Sequence, residues 1–382
     1  MSALVGPGRE SDVADWLALV AAPGVGPRTA QRLIAHFGDP TAVRRASAQA
    51  LKDLGLRHES IAALVSPDQG GIDRALAWAA QPQAHILTRS DPHYPPLLGE
   101  IPDAPAVLFV RGDLLVLAEP QIAIVGSRNP TPQGQQVTRE LAGRLAALGL
   151  VVTSGLAVGV DGAAHQGALE AGRTIAVLGT GPDQVYPAGH RDLARRIAAT
   201  GALVSEYPPG EGPRASNFPR RNRLISGLSL GTLVTEAALQ SGSLITARHA
   251  LEQGREVLAV PGSVRNPLAR GCHALIREGA RLVEDADQVL AELAPLLRGL
   301  IASPPAQGTE ANLTPGGSPT PNGGLDPDYR RLLDAMGYDP MALDELVRTT
   351  GLPVQSLSSM LLVLELEGHV SSAPGGRYCR VR

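Results

Sequence analysis

The stretch IAIVGSRNPTPQG, residues 122 to 134, starts with four apolar residues and breaks at Gly126 into small, polar and proline positions. An apolar run without polar alternation fits a strand buried on both faces, and the punctuation behind it fits a loop leading into the helical pattern of Gly134 to Leu148. The unit recurs. Apolar runs at LVVT (150 to 153), TIAVLG (174 to 179), ALVSEY (202 to 207), GTLVTE (231 to 236), EVLAV (256 to 260) and RLVED (281 to 285) continue the series, with helical segments such as Val160 to Ala171 between them. Buried strands alternating with helices predict an α/β protein with a doubly wound, mostly parallel sheet covered on both faces. Ligands in such folds sit at the carboxyl ends of the strands, so function is sought in the loops that follow them.

The chain has 382 residues, more than one hydrophobic core usually organises, and predicts two or three domains. A helical pattern gives way near Gln81 to Gln83 to short apolar runs punctuated by prolines. SPPAQGTEANLTPGGSPTPNGG, residues 303 to 324, has the composition of a flexible linker. The expected organisation is an N-terminal helical domain (1–83), the α/β domain (84–298), a linker (299–325) and a C-terminal domain (326–382). Within the first, PGVGPRTAQRLIAHFG (Pro23 to Gly38) carries the Gly-x-Gly turn of a helix-hairpin-helix, which can grip a phosphate with backbone amides or serve only as a packing module. The last runs through three helices into the hairpin HVSSAPGGRYCRVR, a winged-helix order. Its candidate recognition helix, PVQSLSSMLLVLELEGH, carries no Arg or Lys and includes Glu365 and Glu367, so it is expected to bind protein or pack internally; Arg377, Arg380 and Arg382 leave the wing a minor DNA role.

A net charge of −3 and a pI near 6.3 exclude a globally basic chain, so any anion site must be a local patch. Lys52 is the sole lysine, and such a patch must therefore be built from guanidinium groups, which grip phosphate bidentately and stack on bases. Cys272 and Cys379 lie far apart and form no metal-ligand spacing, which fits a reducing cytoplasm; no metal site is expected. Neither a signal peptide nor a membrane span is legible.

Among the strand-end loops, GSRNPTPQG (Gly126 to Gly134) and SGLAVGVDGAAH (Ser154 to His165) lack the G-x-G-x-x-G fingerprint, and no acid follows the second strand to take a ribose hydroxyl. A nicotinamide cofactor is disfavoured, and no other cofactor is indicated. What these loops offer is small residues, free amides at helix starts and Arg128, a combination suited to phosphate, although Ser154, Gly155 and Gly159 also fit a plain tight turn. NFPRRNRLIS, residues 217 to 226, follows the strand ALVSEY and places Arg220, Arg221 and Arg223 beside Phe218 and Asn222. These arginines fit either a solvated or ion-paired helix, with Glu206, Glu211 and Glu236 as partners, or one wall of a groove for single-stranded nucleic acid. Convergence with Arg128 and the Ser154-Gly155 turn at one sheet edge favours the groove.

Enzyme motifs are sparse. Asp161 and His165 stand four apart on a helical pattern, where a local hydrogen bond fixing the loop accounts for them, and Glu236 in GTLVTEA matches part of a phosphoribohydrolase segment but lacks its paired glycines. No catalytic residue is expected; a nucleotide-processing enzyme acting through Glu236 is the alternative.

IVGSRNPTPQG, VTSGLAVGVDGAAHQGAL, TIAVLGTGPDQVYPAGHRDLA, NFPRRNRLISGLS, GSLITARHALEQGREVLAVPG and GCHALIREGA, in this order, resemble the DNA processing protein A (DprA, or Smf) family. The resemblance implies an extended Rossmann fold that binds single-stranded DNA, protects incoming strands in natural transformation and helps load the RecA recombinase. It also implies a homodimer through the Rossmann domain, with single-stranded DNA-binding protein as a further candidate partner. The family's DNA pocket maps onto Gly126, Ser127 and Arg128 and onto Asn217, Phe218, Arg220, Arg221, Asn222 and Arg223. Relatives often place lysine among these contacts, and here arginine must substitute.

Overall fold

The computed structural model describes residues 7–302, 327–336, 341–352, 354–366, 369–373 and 377–381. Among them a nine-stranded sheet comprises β1 (Ala84–Thr88), β2 (Val107–Gly112), β3 (Gln121–Val125), β4 (Val151–Ser154), β5 (Thr174–Leu178), β6 (Ala202–Ser205), β7 (Gly231–Val234), β8 (Glu256–Ala259) and β9 (Arg281–Leu282). Their order is β1-β2-β6-β5-β4-β3-β7-β8-β9. From β6 to β9 all neighbours are parallel, whereas β2 runs antiparallel to both β1 and β6. Every strand expected from the sequence is present.

The unbroken apolar runs have a direct cause. In β5, Ile175 and Val177 enter one core with Val204 and Leu224, while Ala176 and Leu178 enter another with Leu193 and Ile197. Both faces are thus buried, and no position in the strand can be polar without cost. The antiparallel pair β1 and β2 is not legible as sheet in the sequence, because it lies outside the strand-helix alternation and between prolines.

Chain order reverses at β3. From there β4, β5 and β6 step to one side, and β7, β8 and β9 to the other. The carboxyl ends of β3 and β7 therefore diverge into the loops around a topological switch point, where crevices form in open α/β sheets.

By its internal contacts the chain divides into two compact units, one of residues 1–146 and 150–289, the other of 147–149 and 290–382. Within the first, the helices from Pro7–Ala21 to Gln69–Ala79 do not close a core by themselves. Trp16, Leu33, Leu51 and Trp78 pack with Val107 and Phe109 of β2, and the Trp78 and Phe109 rings meet edge to face at 5.9 Å. In the second unit, Leu332, Leu346, Leu357, Leu361 and Leu364 form the core of a winged helix, whose helices Pro327–Ala335, Leu343–Thr350 and Val354–Leu366 accompany a three-stranded sheet. Helix Val354–Leu366 spends Leu357, Met360, Leu361, Val363 and Leu364 on that core. Helix Ala286–Ala302 runs into the segment read as linker, and residues 303–325 of that segment lie outside the described residues.

Candidate functional site

At the switch point lies a cleft of about 780 Å³, walled by the loop after β3, helix Asn217–Gly227 and the loop from Ala238 into helix Ser243–Glu252. Its first wall is latched at the back. Thr131 caps helix Pro132–Ala147 by accepting from the Gly134 amide at 2.9 Å, and its amide and hydroxyl both donate to the Glu236 carboxylate at 2.8 Å. Asn266 Nδ2 donates to the same carboxylate at 2.9 Å. Glu236 thereby ties together the loops after β3, β7 and β8, and its oxygens are occupied by three donors.

The cations fall into distinct environments. Arg128, carried on the loop after β3, is exposed along the cleft, and among the described residues no acid pairs with it. Arg221 lies deep in the same cleft, 4% exposed, and donates from Nη1 to the Val177 carbonyl at the end of β5. Burial lowers its pKa to about 10 while the nearby Asp161 carboxylate opposes the shift, so it is charged at neutral pH. Asp161 in turn accepts from the amides of Gly155 at 3.1 Å and Ala157 at 3.3 Å. Burial raises the Asp161 pKa, and Arg221 and those amides pull it back. Arg223, two residues beyond Arg221, is turned into a buried double ion pair with Glu206 (2.6 Å) and Asp103 (3.1 Å). Burial works against its charge, and the two carboxylates more than offset this. Arg220 is exposed and borders a separate depression with Gly26, Pro27 and Arg74.

The remaining candidates divide similarly. Gly126, Ser127, Phe218 and Asn222 line the cleft. Ser127 donates its amide to the Glu236 carbonyl at 2.6 Å, and Phe218 rests against Gly179, where a Cβ would collide with its ring. Asn217 is buried and donates to the Gly179 carbonyl at 3.2 Å, and Ser154 is buried and donates to the Ile124 carbonyl at 2.6 Å, so these two brace the walls. Gly155 lies beneath Arg221: a Cβ there would overlap the guanidinium. Gly159 has φ +82°, and a side chain would overlap the Ser127 and Arg128 carbonyls, so the loop bearing Arg128 can approach only a glycine. We expect Gly155→Ala to push Arg221 off the Val177 carbonyl and cost about 1–3 kcal/mol of stability, measured by urea unfolding; a wild-type midpoint would contradict the packing described.

Sequence reading left Tyr186 and the Gln240–Thr246 segment unassigned to the site, although both follow carboxyl ends of strands, where the switch-point rule directs attention. His165, paired in the sequence reading with Asp161, instead approaches Thr174 Oγ1 with Nδ1 at 2.7 Å, and the hydrogen bonds that hold the loop come from Asp161. Among the described residues no His, Cys, Asp and Glu cluster could hold a metal, and no helix is long and apolar enough to cross a membrane.

The fold and cleft define a Rossmann-like α/β protein with an arginine-bearing switch-point crevice and an appended winged helix. The family model for DNA recombination-mediator protein A matches residues 85–294, and that for the DprA winged helix domain matches 316–376. The chain belongs to the DNA recombination-mediator protein A (DprA/Smf) family. It is 41% identical over 334 residues to Protein Smf of Escherichia coli K12, covering 87% of each chain. It resembles the crystal structure of DNA processing protein A from Streptococcus pneumoniae with a TM-score of 0.66 and 37% identity, over 73% of this chain and 97% of that one. A second likeness, with a TM-score of 0.51, 31% identity and coverage of 57% and 97%, is to the Helicobacter pylori DNA processing protein A, described for its unique single-stranded DNA binding mode.

Proposed function

We propose that this chain binds single-stranded DNA with little regard to sequence, in the cleft between Arg128 and helix Asn217–Gly227. On this reading it protects incoming strands and helps load RecA during natural transformation, acting in the cytoplasm as a homodimer through its α/β domain, with single-stranded DNA-binding protein as a further partner. The observation that carries the reading is Arg128: an exposed guanidinium without an acidic partner, facing the same cleft as Arg221, Phe218 and Asn222. A cationic groove with an aromatic wall suits a phosphate backbone and unpaired bases. Support also comes from the family's name and from the binding mode described for the Helicobacter pylori relative. We assign direct contact to Gly126, Ser127, Arg128, Phe218, Arg221 and Asn222, and bracing to Ser154, Gly155, Asn217 and Arg223, with Arg220 meeting the strand only where it leaves the cleft. Glu236, already holding three donors, serves this arrangement as a latch, which favours a binding protein over a nucleotide hydrolase.

A salt titration of binding to single- and double-stranded oligonucleotides tests this. The wild type is expected to prefer single strands. Arg128→Ala should weaken binding by a similar factor for oligonucleotides of different sequence and lower the slope of log K against log salt by about 1. Unchanged binding by folded Arg128→Ala overturns the site, and a wild type that binds no single strand overturns the function.

A further inference from the structure

We infer that Tyr186 is a base-stacking residue at the mouth of the cleft, forming with Phe218 a two-ring platform for unpaired bases. The inference rests on the single-stranded DNA reading above and adds a contact to it. Aromatic residues are scarce in this chain, with three Phe, six Tyr and two Trp in 382 residues, yet two of them meet here. Their ring centroids lie 5.4 Å apart with planes inclined by 45°, and both border the cleft that holds Arg128. The two rings differ in setting. Phe218 is half-buried against Gly179, whereas Tyr186 is 52% exposed, so burial does not account for its position.

The loop that carries Tyr186 is pinned on both sides of it. Thr180 Oγ1 donates to the Gln184 carbonyl, the Gln184 amide to the Gly181 carbonyl at 3.0 Å, and the His190 amide to the Pro187 carbonyl at 3.0 Å. The Asp183 carboxylate accepts from the Gly210 amide at 2.9 Å, tying this loop to the one after β6. A ring held this way is already ordered when a base arrives, which reduces the entropy lost on binding. Stacking is tolerant of sequence because every base offers a π-face, and it releases no counterions, so its signature differs from that of Arg128.

The test uses the full chain and oligonucleotides carrying one 2-aminopurine. Tyr186→Ala is expected to bind about tenfold more weakly with an unchanged salt slope and to lose the fluorescence change caused by stacking, while Tyr186→Phe restores both. Wild-type affinity in Tyr186→Ala, or a loss accompanied by the lowered slope of Arg128→Ala, overturns the inference. If the wild type binds and Arg128→Ala is weakened while Tyr186→Ala is not, only the stacking role falls. If the wild type fails to bind single strands, the function falls and the stacking role with it.

Discussion

Arg221→Ala is expected to destabilise the first unit by about 3–5 kcal/mol, the cost of leaving the buried Asp161 carboxylate without the positive charge that offsets its burial. Three separate losses meet at this side chain. Asp161 is buried, and Arg221 is the cation that favours its charged form. The Val177 carbonyl loses its guanidinium donor, and the space over Gly155 that the guanidinium fills is left empty. Lysine should not substitute, because a single ammonium cannot both fill the space over Gly155 and reach the Val177 carbonyl as the guanidinium fork does. Urea unfolding of Arg221→Ala, Asp161→Asn and the double variant measures the coupling: the double variant should recover part of the loss, since the unpaired carboxylate is gone. Strict additivity would show that the two charges do not stabilise one another. The size of the effect also bears on function, because weaker DNA binding by Arg221→Ala mixes lost contact with lost structure. Arg128, exposed and unpaired, separates the two.

The second large effect is on acid stability and comes from His165. This side chain is fully buried beside Thr174, and burial, aided by His190 and Arg221, pushes its pKa down to about 3 from 6.5. The unfolded chain takes up a proton near pH 6.5 that the folded chain refuses until near pH 3, so unfolding binds protons in that window. Stability from this group is therefore complete above pH 6.5 and is lost as pH falls through the window, at about 1.4 kcal/mol per pH unit. Between pH 6.5 and 5 the loss is about 2 kcal/mol. His165→Gln offers a neutral side chain at the same place, and comparing its unfolding free energy with that of the wild type at several pH values cancels the other titrating groups. The wild type should lose stability faster on acidification, and parallel profiles would show that His165 is not the residue responsible.

Much of the architecture is legible in the chain because burial on both faces leaves a strand no freedom of composition. IAIV, TIAVL and ALVS can hardly be anything else once they alternate with helical segments. The antiparallel β1 and β2 are not legible, since each is defined by its partner across the sheet and neither begins a strand-helix unit. The order of the strands, and hence which loops surround the crevice, likewise depends on pairings between distant segments.

NFPRRNRLIS shows where local reading stops. Its three arginines share composition, neighbours and charge, so the sequence identifies a cationic helix and cannot rank its members. On an α-helix each residue is rotated by about 100° from the last, which places Arg221 and Arg223 about 200° apart with Arg220 on a third bearing. Helix Asn217–Gly227 packs with one of these directions over Val177 and the cleft, a second toward Glu206 and Asp103, and a third toward the depression bordered by Gly26 and Arg74. Residue type and periodicity, which are local, determined the helix, the sheet strands and the presence of guanidinium groups at the strand ends. The rotation of that helix against the sheet, set by long-range packing, decided which guanidinium is braced beneath the cleft, which is neutralised in an ion pair and which is left exposed.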